Sequence, residues 1–239
     1  GIVEARSRGA THVLLLDQDS MASPTMVKAL ASALDKLNEG ASRIAAVGPR
    51  YVDRATGHAS SFVRFGPIES KNVAGGSAAG EIVRADFLIS SGSLISIATL
   101  DVVGPMEDAL FVDHIDTEWC LRAAQKGYQS FGVCDATMEH ELGDGGRRVW
   151  LGRWRRVAYH SPLRHYYIFR NSALLHRRPY APRRWRRNDR VRLFLIAIYF
   201  GMFGPERRAQ ATMMVRGWRD GRAGRAGSYP THSSHAEKT

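Results

Sequence analysis

Leu14-Leu15-Leu16-Asp17-Gln18-Asp19-Ser20 decides the reading of this chain. An apolar run stops abruptly at two carboxylates one residue apart, and helix-forming residues follow from Ala22 to Leu37. Such a run reads as a buried parallel strand, and in α/β sheets ligands bind just beyond the carboxyl ends of the strands. Two aspartates there are costly unless positive charge sits between them. Hard carboxylate oxygens suit Mg²⁺ or Mn²⁺, which in turn can hold a diphosphate. The plainer alternative is a helix cap beside a surface carboxylate.

Working outward, Arg43 to Val47 reads as a second buried strand ending at Gly48-Pro49, and Tyr51 to Phe65 as a hairpin or flap. Lys71 to Gly80 has loop composition. Strands are predicted over Glu81 to Ile89, Leu94 to Ile97, Tyr128 to Asp135 and Thr137 to His140, with helices over Thr99 to Val103 and His114 to Lys126. Strands alternating with helices predict a mainly parallel α/β sheet flanked by helices. Beyond Gly146 the pattern is helical: Pro162 to Arg177, Asp189 to Phe203 and Pro205 to Asp220.

The net charge of +11 conceals a division. Residues 1–146 carry 12 basic and 19 acidic side chains, a balance of −7, whereas 147–225 carry 21 arginines and three acids, a balance of +18. The expected organisation is therefore a domain over 1–146, an Arg-rich helical region over 147–220 and a disordered tail over 221–239. Cys120 and Cys134 fit no metal or disulfide pattern, and a reducing compartment is the simplest reading. The longest apolar stretch, Leu193 to Phe203, falls short of the roughly 20 residues that span a bilayer. Gly1 opens inside a helical stretch, so a preceding segment is expected.

A second acidic cluster, Asp113-His114-Ile115-Asp116-Thr117-Glu118, opens the helix containing Trp119 and Arg122. Acids at a helix N-terminus gain about 0.3–1 kcal/mol from the dipole, so capping alone is one explanation. Three carboxylates in six residues exceed what a cap requires, and one held among them can serve as a general base. His140, closing a strand, is either an ordinary satisfied histidine or a metal or phosphate ligand.

Together Asp17-Gln18-Asp19, Ser91-Gly92-Ser93, Phe111 to Arg122 and His140-Glu141-Leu142-Gly143 resemble the family 2 glycosyltransferases of the GT-A (Rossmann-like) fold, most closely bacterial rhamnosyltransferases of O-antigen and other surface polysaccharides. Arg164-His165-Tyr166-Tyr167-Ile168-Phe169-Arg170-Asn171 resembles the Tyr-Tyr and Arg-Asn segment that follows their catalytic domain. The resemblance implies that Asp17 and Asp19 form a DxD motif. Asp19 would bind Mg²⁺ or Mn²⁺ most directly and Asp17 the metal or the nucleotide-sugar. Asp116 matches the base that deprotonates the acceptor hydroxyl, and Glu118 the second acid, positioning acceptor or Arg122. His140 would approach the metal or diphosphate, while Ser91, Gly92 and Ser93 line a sugar pocket. The implied reaction is inverting transfer, most simply of L-rhamnose from dTDP-rhamnose to a lipid-linked glycan. An inverting displacement needs one base on the acceptor and one stabiliser on the departing diphosphate, which suits two acid clusters. The chain departs from the family where Ile115 replaces a glutamate and where the nucleotide-reading strands are expected before Gly1. It lacks the Gln-x-x-Arg-Trp motif of processive synthases.

In the basic region Arg153, Arg155, Arg156, Arg183, Arg184, Arg186 and Arg187 alternate with Trp150, Trp154 and Trp185, and Leu193 to Phe203 adds Tyr199, Phe200 and Phe203. Basic residues with interfacial aromatics suit docking onto an anionic membrane, which implies a cytoplasmic enzyme peripheral at the inner face of the cell membrane. No nucleic-acid motif is present, and no specific nucleic-acid partner is expected. The competing classes are a non-enzymatic basic protein that binds RNA or a partner, and an inactive fragment of the enzyme.

Overall fold

The computed structural model describes residues 1–53, 57, 59–66, 70–73, 80–140, 146–150 and 154–230, with the backbone alone at 53, 70–73, 140, 146–150 and 154–158. A short helix α1 (Ile2–Ser7) leads to strand β1 (His12–Leu14), a turn, strand β2 (Ser20–Ala22) and helix α2 (Met26–Asn38). Met26, Leu30, Ala33 and Leu34 recur at helical spacing and form the buried stripe of α2. Strand β3 (Arg43–Asp53) is followed by β4 (Phe62–Phe65), β5 (Ser70–Val73), β6 (Ile82–Ala85) and β7 (Leu94–Ser96). Helix α3 (Ile97–Val103) is capped by Ser96, whose hydroxyl accepts from the Thr99 amide. Then come α4 (Ile115–Gln125) and β8 (Tyr128–His140).

The main sheet runs β1-β7-β3-β8-β2, with β6 also on β8. It is mixed rather than mainly parallel: among the described pairs only β3 and β8 run parallel. The apolar runs fix burial but not direction, which the connections set. β1 is correspondingly not a buried central strand; it pairs antiparallel with β7, and Leu16 beyond it is 49% exposed. The predicted second strand does not stop at Gly48-Pro49: Pro49 keeps its register with Val133, the irregularity that follows falls on β8, where three residues intervene before Thr137 pairs with Arg50, and β3 continues to Asp53. Thr137 to His140 likewise belongs to one continuous β8. Helix α2 packs one sheet face through Leu30, Ile44, Val47 and Met138. Helices α3 and α4 cover the other through Leu100, Ala45, Ile95 and Trp119.

After the hairpin β9 (Gly146–Trp150) and β10 (Trp154–Ala158) come α5 (Pro162–His176), α6 (Arg183–Ile198), a π-helical turn Tyr199–Phe203 and α7 (Arg207–Arg222). Ser161 caps α5 with Pro162 at its first position. Gly217 and Gly221 let α7 lie directly on α5, since a Cβ at either would collide with the carbonyl oxygens of Tyr166 and Arg170. The C-terminal helices share a core with the acid-bearing helix: Leu110 and Leu121 pack with Leu175, Ala181 and Trp185. Residues 223–230, expected to be disordered, are held in place: the Gly227 amide donates to Ala109 O (2.7 Å) and the Tyr229 amide to Tyr167 Oη (2.7 Å). Glu141-Leu142-Gly143, Gly145, Arg153, most of the Lys71 to Gly80 loop (residues 74–79) and residues 231–239 lie outside the described residues.

Candidate active site

The turn Ile89–Ser93 between β6 and β7 organises the site. Leu15 N donates to Ser93 O (3.0 Å) and Gly92 N to Leu15 O (2.7 Å), extending the β1–β7 pairing past Leu14. Gly92 has φ +81°, and a Cβ there would strike the Pro49 ring, so only glycine fits. Ser91 is buried; its hydroxyl accepts from the Asp17 amide (3.1 Å) and meets Ser20 Oγ at 2.7 Å. Ser93 donates to Ile89 O (2.6 Å). Thus the residues expected to line a sugar pocket instead brace the turn carrying Asp17 and Asp19, whose side chains are exposed.

Asp116 reaches the same turn from α4. Its Oδ2 accepts from the Ser90 amide at 3.1 Å. Burial lifts its carboxyl above the ordinary range; the Ser90 bond opposes that, and the charge of Asp17 adds to it. A carboxylate so placed is a stronger base than one in water. Adjacent residues, Ser90 and Ser91, therefore hold Asp116 and the Asp17 backbone.

Glu118 positions Arg122, one of the two roles the resemblance implies for it, and the pair is engaged within the protein. Glu118 is fully buried and accepts from Arg122 Nε and Nη2 (2.8 Å each) and from Tyr180 Oη (2.6 Å). Arg122 also donates to Val103 O (2.7 Å) and Pro105 O (2.8 Å). The pair locks α4 to the α3 exit and to the segment before α6. The i,i+4 spacing places both on one helix face, away from the Asp116 face.

The segment entering α4 is wound in the left-handed region at Phe111 (φ 63°), Asp113 (φ 60°) and His114 (φ 64°). It is held from α5. Asn171 Nδ2 donates to Leu110 O (3.0 Å), Val112 O (2.6 Å) and Asp113 O (2.9 Å), and Arg170 Nη2 donates to Leu110 O (2.7 Å). His114 Nε2 lies 2.9 Å from both Ser172 Oγ and Arg192 Nη2. Burial, reinforced by Arg192, pushes its pKa down to about 4, so the ring is neutral at pH 7. Sequence reasoning assigned no site role to Ser90, Arg170 or Asn171; their contacts join segments 26 to 61 residues apart.

The backbone sets His140 opposite Ser20 and beside Asp53 at the end of β8; its side chain lies outside the described residues. Among the described residues no group of three or more His, Cys, Asp or Glu forms a ready metal cage. Asp17 and Asp19 on one exposed turn nevertheless fit a cation such as Mg²⁺ or Mn²⁺, which is commonly held by one or two carboxylates plus substrate phosphates. Trp185, expected at an interface, is buried against His114 and His176, whereas Phe194 and Phe203 are 64% and 72% exposed. The side chains of Trp150 and Trp154 lie outside the described residues. No described helix is long and apolar enough to cross a membrane.

Over 185 residues, 76% of its length, the chain is 33% identical to the dTDP-rhamnosyl transferase RfbF of Shigella flexneri. This similarity agrees with the resemblance that the acid clusters carry. The chain spans 59% of the length of that relative. No protein-family model matches it. Among solved structures, GalNAc-T7 with UDP, GalNAc and Mn²⁺ aligns at a TM-score of 0.44, 14% identity, 86% of this chain and 45% of that one. A197 from STIV aligns at 0.40, 11% identity, 66% and 72%. Both likenesses are too slight to bear on chemistry.

Proposed function

We propose that the chain carries the centre of an inverting glycosyltransferase that moves a sugar, most simply L-rhamnose from dTDP-rhamnose, to a lipid-linked glycan acceptor of surface-polysaccharide synthesis. The observation that carries this reading is the Ile89–Ser93 turn, which holds the Asp17 backbone and the Asp116 carboxylate from neighbouring residues. Asp116 takes the proton from the acceptor hydroxyl as that oxygen bonds to the sugar's anomeric carbon and the bond to the diphosphate breaks. The desolvated carboxylate is suited to that transfer. Asp17 and Asp19, with His140 at the neighbouring register, would hold a divalent cation, which supplies positive charge to the departing diphosphate. Glu118 and Arg122 position α4, and the Asn171 clamp positions its entry.

We assign donor and base chemistry to 1–146 and docking to 147–220. Phe194, Ile198, Met202 and Phe203 are exposed beside the arginines of α6 and α7, which supports seating on an anionic membrane at the cytoplasmic face. The test is release of nucleoside diphosphate from dTDP-rhamnose and a panel of UDP-sugars with Mn²⁺, beside Asp116→Asn. Metal-dependent release that the variant lacks is expected. Release of equal rate in Asp116→Asn would overturn the assignment of the base.

A further inference from the structure

A cavity of about 520 Å³ opens on the face of α4 next to the one that carries Asp116. Its walls are drawn from β4 and the segment after β6, from the strained entry and first turn of α4, from Ile168 of α5, and from α6 of the Arg-rich region. Its volume lies within the range of small-ligand sites, and it combines apolar walls with a few convergent polar groups, as such sites do. The Phe65 and Phe87 rings stand nearly parallel, 11° between planes and 6.1 Å between centroids, and both border the cavity. Asp113, Asn188 and Arg192 face them from the other side.

The charges narrow the ligand class. Arg192 reaches Asp189 through Nε (3.1 Å) and Nη2 (2.9 Å), and Arg164 spans the Asp113 carboxylate with two contacts of 3.3 Å. His114, also on the wall, is held neutral by burial. The one lining arginine, Arg192, is matched by the lining Asp189, and the lining Asp113 is matched by Arg164 from outside the lining, so no surplus positive charge is presented to a phosphate or a nucleotide. The carboxylate, amide and guanidinium would in turn be desolvated without compensation by an alkyl chain. A neutral polyhydroxylated ring answers both demands: its C–H faces lie on aromatic rings and its hydroxyls pair with planar polar groups.

We propose that this cavity binds one neutral pyranose of the acceptor, so that α6 of the Arg-rich region builds part of the acceptor site as well as any docking surface. The inference rests on the transferase reading above. Thr117 lines the cavity one residue after Asp116, so a sugar seated there lies against the turn of helix that carries the base.

The test is saturation-transfer NMR on the whole chain, in the presence of dTDP and Mn²⁺, with the methyl glycosides of L-rhamnose, N-acetyl-D-glucosamine, D-glucose and D-galactose. Val191 and Leu195 border the cavity and are about half exposed, so Val191→Trp and Leu195→Trp obstruct it without entering the core. At least one glycoside should show saturable transfer. Each tryptophan variant should weaken it by about tenfold or more, about 1.4 kcal/mol, with thermal unfolding unchanged. Titration with dTDP and Mn²⁺ should be the same in the parent and both variants. Silence from the whole panel, or parental glycoside affinity in both variants, would overturn the assignment. Glycoside binding without dTDP binding would leave the cavity assigned and remove the donor reading; the reverse would remove the cavity alone.

Discussion

Replacing Asn171 by Leu tests whether the geometry ahead of Asp116 is imposed from α5. Asn171 is fully buried, and its one amide nitrogen serves three carbonyls of the segment Leu110–Asp113. Leu110 O keeps Arg170 as a donor, whereas Val112 O and Asp113 O take their side-chain hydrogen bonds from Asn171. A carbonyl left unpaired costs about 1–3 kcal/mol, so with two of them Asn171→Leu should lose about 2–6 kcal/mol. The left-handed residues Phe111, Asp113 and His114 add to this, because such conformations, about 1–3 kcal/mol each, persist only when their surroundings enforce them. Urea unfolding followed by circular dichroism is the assay, with an unchanged slope showing that the midpoint shift reports stability. Asn171→Asp, which keeps shape and removes the donor, should lose a comparable amount. A loss under about 1 kcal/mol in both variants would refute the clamp, since it would mean that water or neighbouring backbone serves those carbonyls equally well.

Asp116→Asn should abolish sugar transfer and also stabilise the fold at pH 7. A carboxyl whose folded pKa is raised makes stability fall as pH rises from the unfolded value through the folded one, so the variant's thermal advantage should disappear below about pH 4. His114 has the opposite sign. With its pKa near 4 in the fold against 6.5 unfolded, stability should fall as pH drops through that window, by up to about 3 kcal/mol, and His114→Gln should flatten the profile. Gly221→Leu should destabilise by more than the roughly 1–3 kcal/mol of ordinary overpacking, since its side chain would meet Arg170 O and Ala173 on α5. Phe194→Ser with Phe203→Ser should reduce sedimentation with anionic vesicles while leaving the unfolding midpoint in place.

What the sequence disclosed depended on how local the signal was. The helical stripe of α2, the glycine stop after α3 at φ +95°, and the Ser161-Pro162 start of α5 are each written within a few residues; α2 nevertheless begins at Met26 rather than Ala22, because Ser20–Ala22 pairs with β8. Strand direction is not local. Leu14 to Leu16 reads as a central parallel strand because apolar runs report burial, whereas β1 pairs antiparallel with β7 and Leu16 turns outward. Trp185 misled in the same way: arginines on either side suggested an interface, yet the helix turns them to solvent and the indole inward against His114 and His176. Asp17, Asp19 and Asp116 were visible as acid clusters. Their relation to Ser90 and Ser91 was not, because a hydrogen bond between residues 74 positions apart leaves no trace in spacing.

The two serines also explain why the turn carries little chemistry of its own. Ser91 spends its hydroxyl on Asp17 N and Ser20, and Ser93 on Ile89 O, so neither side chain is left to bind a sugar. What the turn contributes is a fixed distance between the Asp17–Asp19 turn on one side and Asp116 on the other. Displacement at an anomeric carbon needs the base and the leaving-group stabiliser on opposite faces of one sugar, and a small error in their separation is costly in rate. Joining them through consecutive residues of one glycine-containing turn, itself wedged on Pro49, ties both to the same rigid strand. A side chain at Gly92 would push the turn off Pro49 and move Asp17 and Asp116 together. Gly92→Ala should therefore depress turnover far more than removal of either serine hydroxyl, although it touches neither acid. Similar losses in Gly92→Ala and Ser91→Ala would show that the hydroxyl, not the backbone wedge, sets the separation.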